Sequence, residues 1–237
     1  MLRYIDSKKM GRSDLGWLKS HFHFSFAEYR NPANVQFGVL RVLNDDQVEP
    51  GTGFDRHPHK NMEIISYVAE GELTHTDSMG NSATLRRGEV QYMSAGTGVF
   101  HGEHNRGQNR LRLLQIWILP DQQGLPPDYG DFRFDGSARE NIWLPIAAQV
   151  GDSDSSAPVR VHADIHLYVT LLQQDKRLNF KVSEGRQAYL TLIEGEAEVS
   201  GIRLFMRDAL EIVEEDITLN ANAGKDAHAL IIEMART

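Results

Sequence analysis

Two short runs in the chain carry residue types that could do chemistry. The first, Gly51-Thr52-Gly53-Phe54-Asp55-Arg56-His57-Pro58-His59, ends in a His-x-His pair, and the second, Gly96-Thr97-Gly98-Val99-Phe100-His101-Gly102-Glu103, ends in His-x-Glu. In an extended strand the side chains at i and i+2 point to the same face. Each run can therefore present two donors to one side, and the two runs together offer three imidazoles and one carboxylate. Imidazole nitrogen and carboxylate oxygen suit a divalent transition ion such as Fe(II), Mn, Co, Ni, Cu or Zn. Four protein donors on a six-coordinate ion leave about two positions for water, a substrate or dioxygen. Taken singly, a His-x-His is more often a surface or hydrogen-bonded pair, and a His-x-Glu is a weaker signal still. Their joint occurrence, each behind a glycine-containing turn, leaves two readings open: one shared metal site, or two structural pairs.

The elements that must position these residues read as strands. Apolar or alternating stretches lie at 35–43, 63–69, 72–76, 82–86, 89–93 and 111–119, separated by turns such as Glu70-Gly71 and Met79-Gly80-Asn81. Short strands at this spacing indicate an all-β sandwich or barrel, and no stretch has a long capped helical period. Pro58 has no N–H to give to a ladder, so the strand carrying His57 and His59 is expected at a sheet edge or a strand end, where a site mouth could open. The rhythm then breaks over 121–158, which is rich in proline and glycine and contains Asp152-Ser153-Asp154-Ser155-Ser156. This segment reads as a connection, with the apolar patch 142–148 docking one strand. Strands resume at 165–172, 178–182, 187–193, 196–200, 209–213, 217–219 and 227–234. The expected organisation is thus an N-terminal domain over 1–120, a connecting segment over 121–158 and a C-terminal domain over 159–237. The two halves share a phrase: Tyr67-Val68-Ala69-Glu70-Gly71-Glu72 resembles Leu192-Ile193-Glu194-Gly195-Glu196. That is a hint of duplication.

Composition narrows the classes. Hydrophobic residues make up 41% and charged residues 24% of the 237, enough for one large or two small cores. The net charge of −8 disfavours binding to a phosphate backbone or an anionic membrane surface, while leaving a basic protein partner open. The chain has no cysteine, so neither disulfides nor thiolate ligands exist. Residues 1–10 carry four charged side chains and no apolar run, unlike a signal peptide. No stretch reaches the ~18 apolar residues of a membrane helix. These features fit a cytoplasmic protein.

The spacing Gly51-x5-His57-x-His59-x3-Glu63-x7-Gly71 resembles the first cupin motif, and Gly88-x5-Ser94-x-Gly96-x4-His101-x3-Asn105 resembles the second. Ser94 stands where cupins usually carry proline, and the gap before the histidine is two residues longer. Both departures are similar to those of the pirin family. So are the phrases Phe24-Ser25-Phe26-Ala27, Leu40-Arg41-Val42-Leu43-Asn44-Asp45-Asp46, Asp77-Ser78-Met79-Gly80-Asn81 and Met93-Ser94-Ala95-Gly96-Thr97-Gly98. The resemblance is specific over 13–120 and weaker beyond. It implies a bicupin of two face-to-face double-stranded β-helix (jelly-roll) barrels. It also implies a single divalent ion in the first barrel, with Fe(II) the first choice, on His57, His59, His101 and Glu103. Glu63, the acid of the ordinary first motif, is then not a ligand, although its parity with His59 allows an inward position. The second half has no His-x-His, and His228 is its one late histidine, so the second barrel is expected to be empty.

Bacterial pirin-like proteins are similar to quercetin 2,3-dioxygenases. The resemblance therefore implies a CO-releasing cleavage of a small flavonol-like aromatic by O2. A carboxylate hydrogen-bonded to the substrate hydroxyl is well placed to take its proton, so Glu103 is read as the catalytic base. Eukaryotic pirins imply the alternative of a metal-dependent, redox-sensing regulator with a protein partner. Phe54, Met62, Met93, Val99 and Phe100 flank the donor runs and are read either as pocket lining or as core. The pair His21/His23 is read as structural, and His162, Asp164 and His166 as a site for adventitious metal at most. His75 and His104 are placed on turns or on the outward face.

Overall fold

The computed structural model of the chain describes every residue except 223 and 237. Among the described residues regular structure is almost all strand. In chain order these are β1 (Leu2–Ile5), β2 (Gly11–Asp14), β3 (Leu18–Phe22), β4 (Leu40–Val48), β5 (Gly53–His59), β6 (Glu63–Glu70), β7 (Glu72–Asp77), β8 (Ser82–Arg86), β9 (Val90–Ser94), β10 (Val99–His104), β11 (Leu111–Ile118) and β12 (Asp128–Phe132). There follow β13 (Leu144–Gln149), β14 (Val159–Val161), β15 (Ile165–Leu172), β16 (Arg177–Phe180), β17 (Arg186–Glu194), β18 (Glu196–Val199), β19 (Ile202–Phe205), β20 (Ala209–Val213), β21 (Ile217–Ala221) and β22 (Ala227–Ala235). Two short 3-10 turns complete the list, and no helix is long and apolar enough to cross a membrane.

The chain divides into two compact units. One holds residues 10–134 and 161–163; the other holds 1–9, 135–160 and 164–237. This grouping departs from the division read off the sequence at both ends of the first domain. Strand β1 pairs antiparallel with β20, Leu2 opposite Ile212, so the first nine residues fold with the second unit. The supposed connection carries two strands of its own: β12 pairs with β9, and β13 with β15. Proline and glycine there mark the turns between short strands and do not make a free linker.

Each unit is a jelly-roll-like pair of sheets that do not close into a barrel. In the first, a seven-stranded sheet of order β12-β9-β6-β11-β4-β3-β2 packs on a four-stranded sheet of order β5-β10-β7-β8. In the second, the orders are β1-β20-β17-β22-β15-β13-β14 and β16-β21-β18-β19. The duplication hinted at by the repeated Glu-Gly-Glu phrase is thus real at the level of topology, with β5 and β10 matched by β16 and β21. The phrase has a physical cause. Gly71 (φ +76°) and Gly195 (φ +84°) turn one sheet into the other directly against backbone. A Cβ at Gly71 would sit 2.5 Å from the Arg110 carbonyl oxygen, and one at Gly195 would sit 2.0 Å from that of Asp226. Only glycine combines that φ with that clearance.

Alternation along the strands fills the space between the sheets. In the first unit Val68, Leu111 and Leu113 of the large sheet meet Leu73 and Leu85 of the small one, with Leu18 and Val48 beside them. A second cluster of Ile64, Met93, Ala95 and Val99 closes the other end. In the second unit Leu178, Phe180, Ile217, Leu219 and Ala221, from β16 and β21, all join the apolar core. At the place where the first unit has its histidines, the second is packed with hydrocarbon.

The expected strand 35–43 is displaced: β4 runs from Leu40 to Val48. Its polar stretch Asn44-Asp45-Asp46-Gln47 does not read as a strand, yet the first three are almost fully buried. Asp45 takes the Arg112 guanidinium on one face (Nε to Oδ1 2.9 Å), while Asn44 and Asp46 face the space between the sheets.

The two kinds of glycine turn give a test. Gly71→Ala adds both a strained φ and a backbone clash, and should cost ~2–5 kcal/mol in urea unfolding. Gly80 also has positive φ (+95°) but open space around it. Gly80→Ala should cost only ~1–2 kcal/mol. Equal losses for the two variants would show that the close approach at Gly71 contributes nothing.

Candidate metal centre

Strand β5 is an edge strand of the small sheet and, among the described residues, pairs only with β10. The register sets His57 directly opposite His101 and His59 opposite Val99. Pro58, with no N–H, occupies an edge position as its chemistry requires. A bulge between His101 and Glu103 then shifts the pairing, so that Glu103 faces Phe54. On its other side β10 pairs with β7, which brings Glu103 opposite His75 and His101 opposite Asp77.

This register gathers three imidazoles. Ring centroids are 4.8 Å apart for His57 and His59, 4.5 Å for His57 and His101, and 4.9 Å for His59 and His101. One nitrogen of each lies within 4.8 Å of the others. Burial, together with repulsion from the neighbouring histidines, pushes His59 down to about 4 and His101 down to about 3. Both rings are therefore neutral at pH 7, with a lone pair on each to donate. His57 places Nδ1 2.7 Å from the carbonyl oxygen of Asp55. An N–H at Nδ1 donating to that oxygen leaves Nε2 as the lone-pair nitrogen. His101 is 1% exposed, and neither of its ring nitrogens has a hydrogen-bond partner among the described residues. A buried imidazole with both nitrogens unanswered, facing two further imidazoles, is a donor set that fits a cation.

The carboxylate is placed differently. Glu103 lies in a second cluster of donors within 4.8 Å of one another, with His75 and His101. Its Oε2 accepts from Gln115 Nε2 at 2.7 Å, and the Ser66 hydroxyl lies 2.9 Å from its Oε1 and 3.0 Å from Gln115 Oε1. Ser66 and Gln115 belong to β6 and β11 of the large sheet, so these bonds tie the two sheets together beneath the histidines. Each carboxylate oxygen keeps a second lone pair free.

His75 is a correction to the sequence reading. It is fully buried on β7, not on a turn or an outward face. Its ring stacks on Tyr129 at 4.7 Å, lies 5.4 Å from His101, and places Nε2 3.2 Å from Asp77 Oδ2. The alternation of β7 carries the signal: Leu73 and His75 share a face, and Leu73 is core. Glu63 also differs. The left-handed turn at Asn61 (φ +49°) separates β5 from β6, so parity counted from His59 does not carry across. Glu63 is buried on the face opposite Ile64 and Ser66, accepting from Ser94 Oγ at 2.7 Å. The serine that replaces the usual cupin proline thus has a partner of its own. His104 lies beside Asp55 (3.2 Å) near solvent, as expected. His166 is held between Asp152 (2.8 Å) and Glu233 (3.0 Å), and Asp164 takes Arg186 (2.6 Å). Neither joins a donor cluster among the described residues.

The three histidines and Glu103 open on a cavity of about 550 Å³. Of the apolar residues flanking the donor runs, only Phe54 lines it. Met62, Met93 and Val99 pack in the core cluster, and Phe100 points outward beneath the Arg56 guanidinium. The rest of the aromatic wall comes from Trp17, Phe22, Phe26 and Trp117. Trp117 meets His59 edge-on at 4.8 Å and Phe26 at 5.5 Å. The polar floor is Ser20, Asn44, Asp46 and Gln115. Burial pushes Asp46 up to about 7, with the charges of Asp45 and Glu103 adding to it and a Ser20 hydrogen bond opposing it.

The sequence matches known families over both units. Residues 5–118 match the family described as Pirin, and 146–234 match the description "Quercetinase C-terminal cupin domain". A protein named quercetin 2,3-dioxygenase from Escherichia coli (strain K12) is 37% identical over 235 residues, covering 99% of both chains. A protein named pirin-like from Caulobacter vibrioides is 38% identical, covering 98% of this chain and all of that one. Among solved structures, the E. coli bacterial pirin YhhW in complex with nickel(II) superposes with a TM-score of 0.91 at 35% identity over the full length of both. With family matches in each unit and relatives of this identity spanning nearly the whole sequence, the chain belongs to the pirin family.

Proposed function

We propose that this protein holds a divalent transition ion on His57, His59 and His101, with Glu103 as the fourth donor, and uses it to cleave the central ring of a flavonol with dioxygen. This is the reaction for which its quercetin 2,3-dioxygenase relatives are named. The observation that carries the reading is His101: a buried, neutral imidazole with both nitrogens unanswered. Leaving a buried polar group unpaired costs ~1–3 kcal/mol, a cost that a bound cation removes at the lone-pair nitrogen. The nickel(II) complex of the E. coli relative supports a divalent ion. We assign Fe(II) as the resident metal. When bound, such an ion supplies Lewis acidity and a redox partner for dioxygen.

The protein's own residues do the remainder. The aromatic wall of Trp17, Phe22, Phe26, Phe54 and Trp117 takes a flat ring system out of water and holds it against the histidines. Glu103, oriented by Ser66 and Gln115, accepts the proton of the substrate hydroxyl through a free lone pair. Both atoms of dioxygen enter the products as the ring opens, and carbon monoxide leaves. No nucleic acid or membrane takes part.

Three outcomes follow. His101→Ala should reduce bound metal at least tenfold by elemental analysis while the far-ultraviolet circular dichroism stays native, because the apolar cores do not depend on the ion. Collapse of the spectrum would make the metal a folding staple. Glu103→Gln that retains metal should lose turnover by roughly 10²–10⁴-fold, measured as flavonol loss and carbon monoxide release. Full turnover would reject the base role, and metal-dependent capture of a protein without any turnover would favour the regulatory alternative. The third concerns pH. His59 and His101 titrate lower in the folded protein than in the unfolded chain, where histidine titrates near ~6.5. Between those values the unfolded chain binds more protons, so metal-free protein should lose stability as pH falls from ~6.5 toward 4. Replacing His101 with glutamine should flatten that slope in urea titrations; an unchanged slope would remove the histidines as its cause.

A further inference from the structure

The cavity floor contains two oxygens that no described residue satisfies. Asn44 and Asp46 lie two residues apart on β4, on one face, and line the same cavity as the histidines. They are 3% and 4% exposed, and the Oδ1 atom of each has no hydrogen-bond partner. Their neighbours do not fill the gap. Gln115, opposite Asn44, gives an amide N–H to Glu103 and none to Asn44 Oδ1. Ser20, opposite Asp46, interacts with that carboxyl group but leaves Oδ1 unanswered. These two residues belong to the large sheet, whereas the histidines stand on the small sheet across the cavity. An Asn Oδ1 is always an acceptor, and a carboxyl group keeps acceptor capacity in either protonation state. What is missing is a pair of hydrogen-bond donors, delivered by whatever lies between the aromatic walls.

We infer that Asn44 and Asp46 are specificity-determining residues that accept hydrogen bonds from phenolic hydroxyls on the part of the substrate turned away from the histidines. The inference rests on the flavonol reading above and deepens it: the cavity selects polyhydroxylated aromatics over bare ones of the same shape. The hydroxyl next to the carbonyl, where the reaction occurs, is common to all flavonols. Discrimination must come from the remote rings, and a site built to pair hydroxyls rejects an analogue lacking them because its own buried acceptors then stay unpaired.

The test compares quercetin with 3-hydroxyflavone, which keeps the reacting hydroxyl and lacks the others. Binding is read by quenching of the fluorescence of Trp17 and Trp117, which line the cavity, in anaerobic metal-loaded protein. Wild type should bind quercetin at least about tenfold more tightly. Asp46→Leu and Asn44→Leu, close in volume, should bring the ratio toward one, chiefly by weakening quercetin. A wild-type ratio near one overturns the inference whatever the variants do. So does a ratio that both folded variants keep. Turnover is measured separately in air: if both flavonols bind with the expected ratio but neither is consumed, the reaction assigned to the cavity fails and the hydroxyl recognition stands.

Discussion

The site depends on one pairing register. Setting His57 opposite His101 on β5 and β10 brings three imidazoles to one point, and a slip by one residue would turn His57 and His59 to the outer face and Pro58 inward. Two devices hold the register. The bulge after His101 re-aims Glu103 toward β6 and β11, and the bonds of Glu103 to Gln115 and Ser66 lock the small sheet to the large one. The donors are thus fixed from two sheets at once. Burial keeps the rings of His59 and His101 neutral, so electrostatics and geometry prepare the same arrangement.

The two units show what the scaffold needs and what the site adds. Both have seven-plus-four strand orders and a glycine turn pressed against backbone at the same step. In the second unit, leucine, isoleucine and phenylalanine from β16 and β21 fill the interior. The fold is therefore stable without polar groups at that position. In the first unit, histidine, glutamate, serine, glutamine, asparagine and aspartate replace that hydrocarbon on facing strands. Such a row of buried polar groups is costly unless each is answered, and Asn44, Asp46 and His101, each with an unanswered atom, face the cavity.

Much of this was legible in the sequence, and the failures have causes. The His-x-His and His-x-Glu pairs stood out because strand parity is a local rule. The all-β class followed from short alternating segments, and the repeated Glu-Gly-Glu phrase marked a real duplication. Strand β4 was misplaced because Asn44-Asp45-Asp46 looks like a turn until Arg112, sixty-odd residues away, supplies a partner for the middle residue. His75 was missed because nothing near it in sequence repeats the donor spacing; it reaches the site only through the pairing of β7 with β10. Apart from Phe54, the aromatic wall comes from 17–26 and 117, far from the donor runs. The inward position that parity with His59 allowed Glu63 is not taken, because parity does not survive the left-handed turn at Asn61.

Pro58 has a consequence beyond marking an edge. Strand β5 is paired on one side only, and an open strand flank is where a second chain can add on and begin a growing stack. A visiting strand would find its ladder interrupted between the two histidines, where Pro58 offers no hydrogen. The residue that lets the mouth of the site lie at a sheet boundary thereby also guards that boundary against self-association, and keeps the approach to the imidazoles clear.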